Sequence, residues 1–343
     1  MSRSLGFIAS AALIMVAAVL SATPALANDR DRCAIASREI AIAACTALIE
    51  TGFYTGTNLA ILFYNRARAY KNKREYDRAM ADCDAAVKVD ASYAPAFYCR
   101  GLVHYALGAL RLPSERNEEF DLAIVDYNQA IQLDTTYVNA LIARAVAYTD
   151  KNDPDLAIAD FNTVIRLESN NGKAFYGRGV AYSLTFGNLD QAMADFSEAI
   201  QLDPDNKDAL ERRGQAYLIK RDYDNMILNY NELLRLDPTN SEAFFLLGFA
   251  YRGKGDFDRA LTNYNEAVRF DPENFQAFHE RGLVRQAKGD LERAIADYSE
   301  AIRLSPDSIG AFAFYKNRAR AYRAQGAVSR AISDEAEANR RSF

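Results

Sequence analysis

Apolar and polar positions along this chain recur as a block. The stretch AFFLLGFAYRGKGDFDRALTNYNEAVRFDPEN begins at Ala243, and a near-copy, AFHERGLVRQAKGDLERAIADYSEAIRLSPDS, begins at Ala277, 34 residues on. Starting points at Ala60, Ala94, Val138, Gly172, Lys207, Ser241, Phe275 and Phe312 bring eight such copies into register. One slot in the first half is always small: Ala67, Gly101, Ala145, Gly179, Gly214, Gly248, Gly282 and Ala319. Three residues later stands Tyr70, His104, Tyr148, Tyr182, Tyr217, Tyr251, Arg285 or Tyr322. The second half repeats Ala79, Ala123, Ala157, Ala192, Met226, Ala260, Ala294 and Ala331. Four residues beyond each come Cys83, Tyr127, Phe161, Phe196, Tyr230, Tyr264, Tyr298 and Glu335.

Spacings of three and four place these residues on helix faces. Each copy therefore predicts two helices joined by a short turn, with KGD before the second helix in the sixth and seventh copies. Small slots let backbones approach closely, and the aromatic fills the space its smaller neighbours leave. Pro204, Pro238, Pro272 and Pro306 close several copies, where proline stops one helix and suits the start of the next. One helix pair cannot bury both its faces, so the pairs must stack into an all-α solenoid.

These residues resemble the tetratricopeptide repeat family, a helix-turn-helix module of about 34 residues. The resemblance implies a right-handed superhelical solenoid of eight repeats, spanning 60–93, 94–137, 138–171, 172–206, 207–240, 241–274, 275–308 and 312–343. Residues 28–59 form an N-terminal segment, in which REIAIAACTALIE resembles the second helix of one more repeat. Met226 and Leu233 enlarge small slots, His104 and Arg285 replace the tyrosine, and the second copy carries an insertion of about ten residues, so packing is expected to deviate there. The insertion, YALGALRLPSERNEE, predicts a protruding turn with Pro113 at its bend.

Two sets of slots bear on function. Arg66, Arg100, Arg144, Arg178, Arg213, Arg281 and Arg318 share one, and Asp82, Asp126, Asp160, Asp195, Asp297 and Asp334 share another. Residue types that recur in nearly every copy belong to the architecture, and a ladder of Arg–Asp pairs between packed helices is expected. Function belongs where the copies differ. In the resembled family the first helix of each repeat lines the inner surface, and two outward slots there face a groove. The apolar residues in those slots are Tyr64, Tyr98, Leu102, Ile142, Val146, Tyr176, Val180, Phe245 and Phe249, with Leu283 toward the far end; Lys316 and Arg320 make the last repeat basic. Exposed apolar stripes of this kind mark binding surfaces, so these residues are the candidate partner-binding set.

The expected partner is a protein or peptide segment, apolar or extended over the first four repeats and acidic at the last. A carboxylate clamp of the kind chaperone-binding relatives use is rejected, because no Lys–Asn set occupies these slots in consecutive repeats. The alternative reading is an envelope glycan bound in the tyrosine-rich groove, which the lack of any Trp weakens. Catalysis is not expected: His104 and His279 are the only histidines, and no nucleophile elbow, HExxH, P-loop or dinucleotide fingerprint is present.

Composition narrows the picture further. With 343 residues, half of them hydrophobic and a quarter charged, the chain is globular in class. A net charge of −5 supplies no field to hold phosphates, so nucleic acid is not an expected partner. Arg3, an apolar run over 5–20 and the A-x-A pattern at Ala25 and Ala27 predict a signal peptide over 1–27, cleaved after Ala27, or failing that a retained anchor. No later run is apolar enough to span a bilayer, so an exported chain, periplasmic or secreted, with no stable membrane insertion is expected. In that oxidising setting four cysteines, Cys33, Cys45, Cys83 and Cys99, admit three pairings. Cys33 with Cys45 is the first choice, a staple at a fraying end; buried free thiols are the alternative. No CxxC spacing occurs, and neither a metal site nor a cofactor is expected.

Overall fold

The computed structural model describes residues 24–35, 38–112, 115–306 and 310–341. Residues 1–23, the greater part of the expected signal peptide, lie outside these, as does Pro113. The described chain is helical and divides into two compact units, 1–184 and 185–343. The division falls inside the copy at 172–206.

The first unit contains α1 (Pro24–Ile35), α2 (Arg38–Glu50), α3 (Gly56–Asn72), α4 (Tyr76–Val89), α5 (Ala94–Leu110), α6 (Arg116–Leu133), α7 (Val138–Asp150), α8 (Pro154–Leu167) and α9 (Gly172–Ser183). The second contains α10 (Leu189–Leu202), α11 (Lys207–Lys220), α12 (Tyr223–Leu236), α13 (Ser241–Gly253), α14 (Phe257–Phe270), α15 (Phe275–Ala287), α16 (Leu291–Leu304), α17 (Ala311–Ala324) and α18 (Val328–Arg340). Within each unit every helix packs on the next one in sequence, and most first helices also meet the first helix of the following pair. Such nearest-neighbour packing is what makes a repeat array quasi-one-dimensional.

Local chemistry sets the ends of the helices. Asn171, Asn206, Asn240 and Asn274 each accept a hydrogen bond from a first-turn backbone N–H of the following first helix, while Asp222, Asp256 and Asp290 do the same for second helices. The turn inside a pair needs one left-handed residue, supplied by Gly255 and Gly289 but by Arg74, Asn152 and Arg221 in other copies.

The core follows the repeat slots. Gly101 faces Tyr127, and Gly248 faces Tyr264, so closely that an added Cβ would stand 2.6 Å from each ring. Where the small slot is Ala145 the ring of Phe161 reaches onward instead and rests against Gly177 of α9. The Arg–Asp ladder forms as pairs: Arg66 donates to both oxygens of Asp82 at 2.7 Å, Arg144 to Asp160 at 2.8 and 2.6 Å, and Arg318 to Asp334 at 2.8 Å. Each of these arginines also donates its remaining nitrogen to the preceding pair, through Thr46, Asn128 or Ser299. The ladder thus binds successive pairs together as well as the two helices within one.

Three features differ from the sequence reading. Residues 24–35 form a helix that Pro24 begins, so the N-terminal segment is a helix pair, α1 with α2, and the expected cleavage point lies inside α1. The insertion in the second copy is taken up by longer helices, 17 residues in α5 and 18 in α6, because Gly108 admits the Phe120 ring and Tyr105 stacks on it at 5.3 Å. Leu110 and Leu112 stay exposed at its tip. Finally, Cys33 and Cys45 are bridged between α1 and α2 as expected, and Cys83 and Cys99 form a second bridge, between α4 and α5, that the sequence reading did not choose.

Candidate partner-binding face

The first helices of the first unit carry a run of mutually packed tyrosines. Tyr64 on α3 meets Tyr93 edge-on at 6.0 Å, and Tyr98 on α5 lies 5.2 Å from Tyr137 and 6.1 Å from Tyr127. Arg68 sits over the Tyr64 ring at 5.5 Å. Tyr93 and Tyr137 precede α5 and α7, so the cluster is assembled from two consecutive copies, 60–93 and 94–137. Burial raises the Tyr98 phenol above its ordinary value and pushes Tyr93 up to about 12. These hydroxyls stay protonated, able to donate as well as accept.

The other expected residues of this unit continue the face. Leu102 packs with Tyr98 against Ala123 and Tyr127, and Ile142 and Val146 pack against Leu141, Ala145 and Phe161. Tyr176 and Val180 are half-buried on α9. The repeat pattern assigned these side chains no internal partner, and the structure gives them several. They are half-buried because each spans the seam between adjacent first helices, offering one side to the core and the other to the surface.

In the second unit Phe245 and Phe249 on α13 are likewise half-buried, Phe245 against Tyr264 at 6.0 Å and Phe249 against Tyr223 at 6.4 Å. Lys316 and Arg320 on α17 are exposed, and Arg323 on the same helix is engaged with Glu335 at 2.7 Å. A cavity of about 430 Å³ opens beside Phe245, Phe275, His279 and Phe314. The Asn317 Nδ2 amide donates to His279 Nε2 at 2.9 Å. A smaller one of about 190 Å³ lies among Glu211, Gln215, Tyr230, Asn240 and Glu242. Glu242 was not singled out in the sequence, although it stands one turn before Phe245 and so on the same side of its helix.

Other apolar residues are more exposed. Leu122, Val125, Leu156, Leu228 and Ile332 project from second helices. They are mostly isolated from one another along the chain, which is ordinary for a protein surface. Among the described residues no group of His, Cys, Asp and Glu is arranged to hold a metal, and no helix is long and apolar enough to cross a membrane.

Comparison with known families matches these helix pairs directly. A family profile described as tetratricopeptide repeat matches 60–93, 138–171, 208–240 and 275–308, a second of the same description matches 229–262, and one described as TPR repeat matches 187–220 and 250–289. These are tetratricopeptide repeats. No curated protein sequence matches the chain. Among solved structures, YrrB, described as a TPR protein with an unusual peptide-binding site, superposes with a TM-score of 0.50 at 22% identity, covering 55% of this chain and 96% of its own. The MamA protein of Desulfovibrio magneticus RS-1, from residue 41 to its end, gives a TM-score of 0.47 at 21% identity over 49% of this chain and 95% of its own. A tetratricopeptide repeat protein from Parabacteroides merdae ATCC 43184 gives 0.46 at 19% identity, over 76% and 98%. At such identities the likeness is one of fold.

Proposed function

We propose that the protein is a non-catalytic scaffold that holds a segment of a partner protein against the first-helix face of its repeats, and that it works after export, in the periplasm or outside the cell. The observation that carries the binding reading is the tyrosine run Tyr64, Tyr93, Tyr98 and Tyr137. It is half-buried, burial raises the Tyr93 and Tyr98 phenols above their ordinary value, and the run occupies slots that differ from copy to copy, whereas the Arg–Asp ladder that holds the helices is nearly constant. Rigid aromatic surface of this kind supplies contact area at small entropic cost. Proteins with this fold include one described as binding peptide, which is consistent with the reading. Export rests on the pattern of residues 1–27 and accords with the paired cysteines.

Position-specific crosslinking tests the face. A photo-reactive residue placed at position 98 or 146 should give discrete adducts in the native compartment, and one at 125 or 156, on second helices, should not. Adducts from the second helices alone would overturn the proposal. With the captured partner, Tyr98→Ala should weaken binding by about 1–3 kcal/mol when measured well below the melting temperature. Asp160→Ala, which strips Arg144 of its bidentate acceptor, should lower the melting temperature and leave that affinity alone.

A further inference from the structure

We propose that the ring-walled cavity on the first helices of the sixth, seventh and eighth repeats seats a large apolar side chain of the partner segment, and that Lys316 and Arg320 at its edge take a carboxylate carried by the same segment within about two residues of that anchor. The proposal rests on the scaffold reading above and names the chemistry of what the second unit binds.

The cavity arises where the repeat is broken. Starting points at Lys207, Ser241 and Phe275 are 34 residues apart, but the next, Phe312, comes after 37. In the first helix six copies bury an alanine at one slot, Ala96, Ala140, Ala174, Ala209, Ala243 and Ala277, and the eighth copy has Phe314 there, 4% exposed. The position before it is Glu242 in the sixth copy, Gln276 in the seventh and Ala313 in the eighth. Large and small have changed places. A ring does not let backbones approach as a methyl group does, and a methyl group at the rim leaves the resulting gap unfilled.

The space measures about 430 Å³, inside the range of about 300–1,000 Å³ typical of ligand pockets. Phe314 stands 5.9 Å from Phe275 and 4.8 Å from His279, and Phe245 on α13 supplies a further ring. Phe245, His279 and Lys316 hold the same variable slot in three consecutive copies, so the space belongs to the face read above as partner-binding. Its lining carries no net charge. Glu280 is met by Arg252 at 2.9 Å, and burial, with the Arg252 charge adding to it, pushes His279 down to about 4, which leaves the ring neutral.

The edge, in contrast, is basic. Lys316 follows Ala313 by one turn of α17, which puts their Cβ atoms about 5–6 Å apart on one side of the helix, and Arg320 stands one turn further on. Arg320 donates to Asn317 Oδ1 at 3.4 Å, and the Asn317 amide donates to His279 at 2.9 Å, so a bonded chain joins this cation to the cavity wall. The Lys316 ammonium lies over the Phe312 ring at 5.2 Å, and among the described residues neither cation forms an ion pair. Exposed cations are ordinary on a protein surface. These two border an uncharged aromatic space in a chain whose net charge is −5. An apolar side chain can enter that space without burying charge, and an acid beside it meets both cations.

The test is a library of short random peptides displayed against the purified protein. Selected peptides should carry a large apolar residue with aspartate or glutamate about one or two positions away. Against one such peptide made synthetically, Ala313→Leu, which puts a side chain into the space, should cost about tenfold or more in affinity while melting no lower than the native protein. The double variant Lys316→Gln, Arg320→Gln should cost about fivefold or more, and replacing the acid of the peptide by its amide should cost a similar factor on the native protein and little on that variant. Peptides selected without acidic preference, or indifferent to all three substitutions, would overturn this inference and leave the scaffold reading standing. Decanoate binding that Ala313→Leu blocks, with no peptide of the expected kind selected, would assign the space to a small amphiphile and also overturn it. Failure of every peptide to bind either unit would overturn both readings.

Discussion

At the scale of single residues, partner chemistry decides what a repeated slot is worth. Arg66 and Arg144 are held above their ordinary value chiefly by their bonds to Asp82 and Asp160. Arg213 occupies the same slot but meets neutral Asn229, and burial lowers it instead. A second single-residue effect is open to titration. Burial, with the Arg252 charge adding to it, pushes His279 down to about 4, against about 6.5 when unfolded. The unfolded chain therefore binds the extra proton first, so this residue's contribution to stability is complete above about pH 6.5 and is lost as pH falls toward 4. Glu280, raised by its own burial, and Asn317 are the other polar groups at the ring. His279→Phe should melt with a shallower loss than the native protein between about pH 7 and about pH 4.5. Parallel melting profiles for the two proteins would show that the ring does not titrate in that window.

Among elements, the small slot and the aromatic slot act as one unit. Tyrosine occurs opposite glycine at Gly101, Gly214, Gly248 and Gly282, whose absent Cβ the rings of Tyr127, Tyr230, Tyr264 and Tyr298 fill. With alanine in the slot the partner is Cys83, Phe161 or Glu335. Gly248→Ala should gain helix propensity but force the Tyr264 ring aside in a core that has no room, for a net loss of about 1–3 kcal/mol in chemical denaturation. Pairing it with Tyr264→Leu should recover part of that loss. No recovery would mean that backbone spacing, and not the ring, sets the clash.

For the whole molecule, the bridges divide the chain into a stapled end and an unstapled remainder. Cys33–Cys45 ties α1 to α2, and Cys83–Cys99 ties the first tetratricopeptide repeat to the second. Both close short loops, each constraining the unfolded chain by about 3 kcal/mol on the chain-entropy account. Protein recovered from an oxidising compartment and denatured without reductant should therefore present no reactive thiol. Reduction should lower hydrogen-exchange protection in α1 to α5 and leave α15 to α18 unchanged, since in an array of this kind each pair supports mainly its neighbours. Protection lost evenly along the chain would contradict that picture.

Much of this was legible in the sequence because it is periodic. A slot that recurs eight times reports the interaction it makes in every copy, so the helix pairs, the small-to-aromatic packing and the Arg–Asp ladder could be read from spacing. The Arg contacts to Thr46, Asn128 and Ser299 were not, since those acceptors differ in kind although they share one position. The helix at 24–35 lies before the repeats begin and had no copy to be compared with. The candidate faces were visible only as lists of variable residues. Folding decided that Tyr64 meets Tyr93 and Tyr98 meets Tyr137, and that Glu211 and Glu242, about thirty residues apart, flank one buried phenol. Periodicity fixes which side of a helix a residue occupies, whereas the stacking of one pair on the next decides which residues from different copies share a surface.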